Sequence, residues 1–290
     1  MALIPSAVQL RCEDILAAPL LSIESISGGD INQARLLKTE NQSCFLKMNT
    51  LPQSLQMFET EAKGLQLILQ SKAIDTPEII HFGTADGTAF LLLSYVSLAT
   101  KTDVFWQNFG RSLALLHRDN SHSHFGLDHA NFIGSLDQAN DFETSWTAFY
   151  VNQRIEPQLK TAINSGCLNK THTKAFHRLF NQLDELLPQE VPALTHGDLW
   201  SGNFLVGQNQ KAVLIDPAVS FAHREMDLAM SHLFGGFSQI FYDVYQATYP
   251  LENGFHDRMD IYQLYYLMVH VNLFGGSYVE AVNQILEKYR

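Results

Sequence analysis

The sequence predicts an α+β fold with two lobes, a small strand-rich N-terminal lobe (residues 1–97) and a larger helical lobe (residues 98–290). Segments of β type, bounded by turn residues, are concentrated before residue 97. Beyond that point apolar residues recur at helical spacing almost throughout. With 290 residues, of which 46% are hydrophobic and 17% charged, the chain has the length and composition to bury a core in each lobe.

The first lobe is predicted to contain two helices and five strands. Residues 7–17 have the amphipathic spacing of a short helix. Residues 20–49 divide into three strands, with turn residues at positions 27–30 and 40–42. After Pro52 the apolar residues recur at helical spacing, and the segments "EIIHFGT" and "TAFLLLSYV" then predict two further strands.

The second lobe is predicted to be helical, apart from one pair of short strands at 203–207 and 211–216. A His-Arg-Asp triplet that ends at Asp119 matches the beginning of the common kinase catalytic loop. However, the residue five positions beyond Asp119 is His124 instead of asparagine, and no strand-borne aspartate follows at the right distance. We therefore predict that this triplet ends a helix.

The charge of the chain disfavours nucleic acid as a partner, and the length of its apolar runs disfavours a membrane. Its net charge is −11, from 30 acidic and 19 basic residues, which argues against nucleic acid because phosphate contacts supply most of that affinity. The same charge leaves ATP open, since one lysine, backbone N–H groups and magnesium can meet its phosphates locally. No apolar stretch reaches membrane-spanning length, and the N-terminus lacks a basic leader followed by an apolar block.

Cysteine usage indicates the compartment. The cysteines Cys12, Cys44 and Cys167 are scattered and form no CxxC pair, which favours a reducing, cytoplasmic location. The same pattern argues against a disulfide framework and a structural zinc site. The histidines between residues 117 and 129 also lack the i, i+4 spacing of a helical zinc site. Oligomeric state is not indicated by the sequence, and a monomer is compatible with it.

The stretch "ALTHGDLWSGNFLV" (residues 193–206) carries the main chemical signal. Asp198 and Asn203 lie five positions apart between two apolar runs, and Asp216 ends the next predicted strand. Phosphoryl transfer needs a carboxylate that orients or accepts the proton of the attacking hydroxyl, and oxygen ligands for Mg²⁺. Asp198 suits the first role, and Asn203 and Asp216 suit the second.

The spacing of this stretch is that of a kinase catalytic loop. A histidine precedes Asp198 by two residues, a leucine follows it, and Gly197 replaces the usual arginine. An Asp-x4-Asn pair alone is a common structural feature. Together with the His-Gly-Asp-Leu run and the later aspartate, it indicates kinase-like chemistry.

The strand-rich lobe is then expected to bind the nucleotide. Lys47, at the end of the third strand, is placed to meet the α- and β-phosphates, and Glu61 in the following helix is predicted to be its ion-pair partner. Gly28 and Gly29 would let the backbone approach phosphates, although they are equally typical of a plain hairpin turn. The backbone of the connector after the fifth strand is expected to hydrogen-bond adenine: Ser94, Tyr95 and Val96.

Asp227, in the segment "REMDLAM" (224–230), suggests a support for the catalytic loop. A buried aspartate at this position would accept backbone N–H bonds from that loop and hold it rigid. The alternative is an acidic residue at the start of a helix, where the macrodipole favours it.

Several longer segments resemble the fructosamine kinase (ketosamine 3-kinase) family. They are "HGDLWSGN", "IDPAVSFAHREMDLAM", "LFGGF" (233–237), "FGLDHANFIG" (125–134), "WTAFYVNQRI" (146–155) and "IYQLYYLMVHVNLFGG" (261–276). The resemblance extends from the Gly28 turn to about residue 276. It implies a protein-kinase-like fold, near the aminoglycoside phosphotransferases, and ATP-dependent phosphorylation of the 3-hydroxyl of ketosamines. The 3-phosphate destabilises these sugar adducts, so the implied activity is deglycation.

The resemblance also implies roles for single residues. Asp198 matches the proton acceptor, Asn203 and Asp216 the magnesium ligands, and Lys47 with Glu61 the ATP-anchoring pair. The segment from Ser94 to Val96 matches the adenine connector. Trp200 is placed beside the sugar, although an aromatic there would also serve to wedge the loop. Some members carry a redox-active cysteine in the glycine turn, and this chain has none there.

Two alternatives stay open from the sequence. One is a kinase of another hydroxyl substrate, such as an aminoglycoside or an amino alcohol, which the acidic surplus of the chain keeps open. The other is a nucleotide-binding scaffold without catalysis. The sequence does not identify the ketosugar, nor whether its amine is free or on a protein.

Overall fold

A computed structural model describes residues 4–26 and 32–290. The first lobe contains two helices and five strands within these residues: α1 (Ser6–Leu16), β1 (Ser22–Ser25), β2 (Gln33–Lys38), β3 (Ser43–Asn49), α2 (Ser54–Gln70), β4 (Ile79–Ala85) and β5 (Thr88–Ser94). The strands form one antiparallel sheet in the order β1-β2-β3-β5-β4. Each element lies where the sequence predicts it. The predicted turn with Gly28 and Gly29 lies outside the described residues.

The sheet is covered on both faces, because the alternation of side chains along its central strands gives each face an apolar set. Phe90 and Leu92 of β5 pack on the side of α1, whereas Leu91 and Leu93 pack against α2. The same alternation along β3 places Lys47 on the α2 side, opposite Leu91 in the register. The strand period therefore aims this lysine at the helix that carries its predicted partner.

The second lobe is mainly helical. Its helices are α3 (Asp103–Asp119), α4 (Trp146–Phe149), α5 (Glu156–Asn164), α6 (Lys170–Phe180), α7 (Leu183–Leu186), α8 (Glu225–Leu233), α9 (Gln239–Thr248), α10 (Phe255–Phe274) and α11 (Val279–Lys288), with a π-helical segment at Tyr150–Ile155. The helix α10 is buried around most of its circumference and forms the centre of the larger core. As predicted, α3 ends at Asp119.

Three pairs of short strands interrupt the helices of this lobe. They are β6 (Asn131–Ile133) with β7 (Leu136–Gln138), β8 (Ala193–Thr195) with β11 (Ser220–Ala222), and β9 (Phe204–Val206) with β10 (Ala212–Leu214). The sequence predicted the β9–β10 pair alone. The expectation of a single pair was wrong because β8 and β11 pair across a long stretch of chain, and β6 and β7 lack the apolar runs that indicate β9 and β10.

The connector between the lobes is hydrogen-bonded to the β9–β10 hairpin. The Ala99 N–H donates to the Val206 carbonyl (2.8 Å), and the Gln210 amide donates to the Thr100 carbonyl (3.0 Å). The Thr102 hydroxyl donates to the Gln210 side-chain oxygen (2.6 Å). The two-lobed α+β class is confirmed, whereas the exact boundary at residue 97 stays a prediction. None of the helices in the described ranges is long and apolar enough to cross a membrane.

Candidate active site

The loop between β8 and β9 is shaped by a buried histidine. His196 Nε2 lies 2.9 Å from the Ile215 carbonyl, and its Nδ1 accepts the Asp198 N–H at 3.2 Å. A carbonyl only accepts, so the proton is assigned to Nε2 and the ring is neutral. Burial lowers the pKa of His196, in keeping with this assignment. The histidine thus fixes the backbone direction at Asp198.

Asp227 holds the same loop through hydrogen bonds to its backbone. Its carboxylate accepts the backbone N–H groups of His196 (2.7 Å) and Gly197 (2.8 Å). It also lies 3.1 Å from His117 Nε2, whose other nitrogen contacts the Tyr245 hydroxyl at 2.8 Å. Burial opposes ionisation, but the hydrogen bond and charge of His117 keep the pKa of Asp227 below its usual value. The predicted support of the loop by Asp227 is confirmed.

Gly197 is required by the backbone of this loop. It has φ of +82°, and a Cβ at this position would overlap the Ala218 carbonyl. In addition, the Ala218 N–H donates to the His196 carbonyl (2.9 Å). The close approach of these two segments of the backbone explains why glycine stands where kinase loops usually carry arginine.

Asp198 and Asn203 contact each other across the loop. The Asn203 amide nitrogen donates to both the Asp198 carbonyl and its carboxylate Oδ2, each at 2.9 Å. Burial raises the pKa of Asp198 from 3.8 to about 7; the Asn203 hydrogen bond opposes the shift, and the Asp227 charge adds to it. The carboxyl group therefore changes charge near neutral pH, as a general base requires.

Lys47 joins the two lobes at the cavity. Its ammonium group is buried and pairs with Glu61 (2.7 Å) and with Asp216. The predicted ion pair between Lys47 and Glu61 is therefore present. Asp216 lies two residues beyond the end of β10, not on the strand as predicted, and has φ of +54°. The Ile215 N–H donates to the Asn203 carbonyl (3.1 Å), which keeps Asp216 beside that asparagine.

These side chains line one cavity of about 750 Å³ between the lobes. It brings together the predicted residues Lys47, Glu61, Asp198, Trp200, Asn203 and Asp216. Its other walls are formed by Asn32, Met57, Phe58, Thr60, Asn131, Phe132, Ile133, Gly134, Ser135, Ser201, Pro217, Met230, Phe234, Tyr266, Val269, His270, Leu273, Phe274 and Tyr278. The predicted convergence of the two strand ends on one point is confirmed.

The predicted adenine connector is not part of these walls. The Ser94 N–H donates to the Glu78 carbonyl (2.9 Å), and the Tyr95 N–H donates to the Ser43 carbonyl (3.2 Å). Two of the three backbone donors are therefore used inside the sheet. Val96 is the position in this connector whose N–H has no hydrogen-bond partner among the described residues. Contact with adenine stays a prediction, now narrowed to Val96 as the donor.

Sequence reasoning missed the aromatic part of the cavity and the hairpin beside it. The His270 ring contacts both Phe234 and Phe274 there, and the β6–β7 turn forms the adjacent wall. The segments "FGLDHANFIG" and "IYQLYYLMVHVNLFGG" contain many of these residues, but no role was derived for them. Their spacing alone does not show which helix face meets the loop of Asp198.

The cavity contains oxygen atoms suited to Mg²⁺. Because the Asn203 nitrogen is directed at Asp198, the amide oxygen of Asn203 is left to bind a ligand, beside the Asp216 carboxylate. The described part of the chain has no group of three or more His, Cys, Asp or Glu residues that could hold a metal alone. Two protein oxygens completed by phosphates and water are typical of Mg²⁺ in nucleotide sites, so the residues present fit this ion.

We expect Gly202→Ala to displace the Trp200 ring from the cavity. A Cβ at position 202 would overlap three ring carbons of Trp200, and this indole is 39% exposed and able to swing outward. The other two tryptophans, Trp106 and Trp146, are buried. Acrylamide quenching of fluorescence is therefore expected to rise in the variant. Gly276→Ala is the control, because a Cβ there has open space; equal quenching in both variants would contradict the prediction.

Comparison with known proteins gives matches along almost the whole chain. The family model described as "Fructosamine kinase" matches residues 9–290. A Lactiplantibacillus plantarum protein named "Probable ketoamine kinase" is 39% identical over 269 residues, which cover 92% of this chain and 94% of that protein. The "Protein-ribulosamine 3-kinase, chloroplastic" of Arabidopsis thaliana is 33% identical over 279 residues, which cover 94% of this chain and 84% of that protein.

A solved structure shows the same architecture. The crystal structure of a candidate fructosamine-3-kinase from Thermobifida fusca matches with a TM-score of 0.88 at 28% identity, and the match covers 99% of each chain. Both lobes are included in this match. The likeness confirms the two-lobed, protein-kinase-like fold class.

Proposed function

Because this chain belongs to the fructosamine kinase family, we propose that it transfers the γ-phosphoryl group of ATP to the 3-hydroxyl of a ketosamine. The observation that carries this proposal is the meeting of Asp198, Asn203, Asp216 and Lys47 in one cavity between the lobes. Phosphorylation at that position destabilises the sugar adduct on its amine. The activity is thus a deglycation step.

Asp198 is the group that handles the acceptor hydroxyl. The hydroxyl oxygen attacks the γ-phosphorus in line with the β–γ bridging oxygen, the bond to that oxygen breaks, and ADP leaves. The hydroxyl proton passes to the Asp198 carboxylate, whose pKa of about 7 suits a base at neutral pH. The hydrogen bond from Asn203 orients this carboxylate. Most of the rate enhancement then comes from orientation and charge neutralisation.

Lys47 and Glu61 would fix the nucleotide phosphates. The 2.7 Å ion pair holds the Lys47 ammonium at the floor of the cavity, where burial strengthens its interaction with phosphate. Mg²⁺, bound by Asn203 and Asp216 together with the phosphates, would neutralise the charge that develops on the transferred group. Val96 is proposed as the backbone contact to adenine, and Trp200 as a wall of the sugar site.

The acceptor side of the cavity supports a ketosamine over an aminoglycoside. Among the described lining residues, the carboxylates are Glu61, Asp198 and Asp216, and all three lie at the transfer centre. The remaining lining is mainly aromatic and aliphatic. A polycationic substrate needs additional carboxylates around its ammonium groups, and this wall does not offer them.

An acceptor panel tests this proposal. With Mg·ATP, we expect kcat/KM for fructosyl-, ribulosyl- or erythrulosyl-lysine, free or within a peptide, to exceed that for aminoglycosides and choline by at least about 10²-fold. The 3-deoxy analogue of the best ketosamine is the matched control, because it keeps the binding groups but lacks the hydroxyl that is phosphorylated. Product mass and the position of phosphate are read by mass spectrometry and NMR. Turnover of aminoglycosides without turnover of any ketosamine would contradict the proposal.

We also propose a cytoplasmic location. The three cysteines are free: Cys12 and Cys44 are buried, and Cys167 is partly exposed. Free thiols are typical of a reducing compartment.

A further inference from the structure

A buried polar network lies behind the segment between β10 and β11 that contains Asp216, called the Asp216 loop below. It consists of Asn131, Gln138, Asn140, Arg154 and Tyr265, each of which is at most 4% exposed. The Tyr265 hydroxyl donates to the Gln138 side-chain oxygen (2.6 Å), and the Gln138 amide donates to the Asn131 side-chain oxygen (2.8 Å). Asn140 also donates to that oxygen (2.9 Å). The members thus satisfy one another's polar atoms, as buried polar groups must.

This network holds three consecutive residues that follow Asp216 and Pro217. Gln138 donates to the Ala218 carbonyl (3.1 Å), and Asn131 donates to the Val219 carbonyl (2.8 Å). Arg154 donates to the Ser220 hydroxyl oxygen (3.1 Å). Each residue of 218–220 therefore accepts a hydrogen bond from a different side chain of the network, which fixes both the register and the direction of this segment.

The other side of the same segment is fixed by the loop of Asp198. The Ala218 N–H donates to the His196 carbonyl, and the Ala218 carbonyl lies against Gly197. Gln138 therefore acts on the peptide where the loops of Asp198 and Asp216 meet. Asn131 and Gln138 belong to β6 and β7, whose connecting turn forms part of the cavity wall.

We propose that the β6–β7 hairpin positions Asp216 for the metal-bound nucleotide, and that Gln138 is the positioning residue. Without the Gln138 amide, the Ala218 carbonyl loses its buried donor, and the segment from Asp216 to Ala218 is held less firmly. Outer partners of this kind govern how well a ligand carboxylate meets its ion. The inference rests on the proposed role of Asp216 in holding Mg²⁺.

Binding of a nucleotide analogue with and without metal tests this role. Isothermal titration with AMP-PNP is performed in Mg²⁺ and in EDTA, and the ratio of the two dissociation constants is the metal advantage. We expect Gln138→Met, which is of similar size but apolar, to reduce the metal advantage by about 10-fold. The dissociation constant in EDTA and the KM for the ketosamine are expected to change less than about 2-fold.

Two matched controls separate positioning from general stability. Gln158→Met also removes a buried glutamine, but the side-chain oxygen of Gln158 accepts a hydrogen bond from Asn272 of α10, which is not a member of the network. It is expected to lower Tm and leave the metal advantage unchanged. Asp137→Asn changes an exposed side chain on the same strand as Gln138 and is expected to change neither quantity.

The outcomes are distinct. If Asp216→Asn keeps the full metal advantage, the proposed role of Asp216 fails and the inference fails with it. If Asp216→Asn loses that advantage and Gln138→Met keeps it, the positioning role alone is overturned. An equal loss in Gln158→Met would also overturn it. Should Gln138→Met not fold, Tyr265→Phe removes only the hydroxyl that orients Gln138; an unchanged metal advantage in that variant overturns the proposal.

Discussion

Replacing Asp198 with alanine is expected to lower kcat by about 10²–10⁴-fold, the usual contribution of a general base. The variant removes the carboxylate that would take the hydroxyl proton, while Lys47, Glu61 and Asp216 keep their positions around the phosphates. The dissociation constant of Mg·AMP-PNP is therefore expected to stay near that of the parent. Steady-state phosphorylation of a ketosamine and calorimetric titration measure the two quantities. A rate near that of the parent would show that another group accepts the proton.

The pH dependence of the parent enzyme gives an independent check on this assignment. The pKa of Asp198 is raised to about 7, and the ionised form is the base, so kcat/KM is expected to rise with pH through that region. Asp198→Asn cannot ionise at this position, and its residual activity is expected to lack the same rise. A rise that persists in the variant would assign the titration to a different group.

The same pKa shift has a consequence for stability with a definite sign. Between the usual value of 3.8 and about 7, the folded protein keeps a proton on Asp198 that the unfolded chain releases. Stability from this group is therefore lost as pH rises through that window. Asp198→Asn is expected to gain stability relative to the parent between pH 5 and pH 8, measured as the difference in urea midpoint. If the urea midpoint of the variant lies below that of the parent by the same amount at pH 5 and at pH 8, the substitution causes a packing defect. Its low activity would not then identify the base.

The predictions that succeeded depended on short-range patterns. The alternation along β3 and the helical spacing of α2 determine which faces meet, so Lys47 and Glu61 could be paired from the sequence. Likewise, Asn203 directly precedes β9 and Asp216 follows β10, so the antiparallel pairing of these strands brings them to the same end. In both cases a local period decides the position of the side chain.

The parts that were missed depend on contacts between residues far apart in the chain. Gln138 meets Ala218 across 80 positions, and Tyr265 meets Gln138 across 127. Neither pair has a local period or spacing that would indicate it. The β6–β7 hairpin is also too short to be recognised by alternation. Asp227 was only partly predictable. Its position near the start of a helix fits both a support of the catalytic loop and a plain helix-initial acidic residue, and the burial of its carboxylate decides for the first.

Asp227→Ala is expected to lower the free energy of unfolding by about 3–5 kcal/mol, the range for removing one partner of a buried charged network. The substitution leaves two backbone donors, the N–H groups of His196 and Gly197, without an acceptor in a buried site. It also removes the acceptor of His117. Because these donors define the loop of Asp198, activity is expected to fall together with stability. Urea unfolding with an unchanged m value measures the first effect.

Asp227→Asn separates the charge from the geometry. An asparagine side chain has one acceptor oxygen and one donor nitrogen, whereas His196 and Gly197 each present an N–H to a different oxygen of Asp227. Whichever way the amide is turned, one backbone N–H faces another donor, and the expected loss is about 1–3 kcal/mol. Asp243→Ala, on the exposed surface of α9, is the control and is expected to lie within about 0.5 kcal/mol of the parent. If Asp227→Asn unfolds at the parent's midpoint and keeps its activity, the two backbone hydrogen bonds do not hold the loop, and its shape must come from Gly197 and the buried ring of His196 instead.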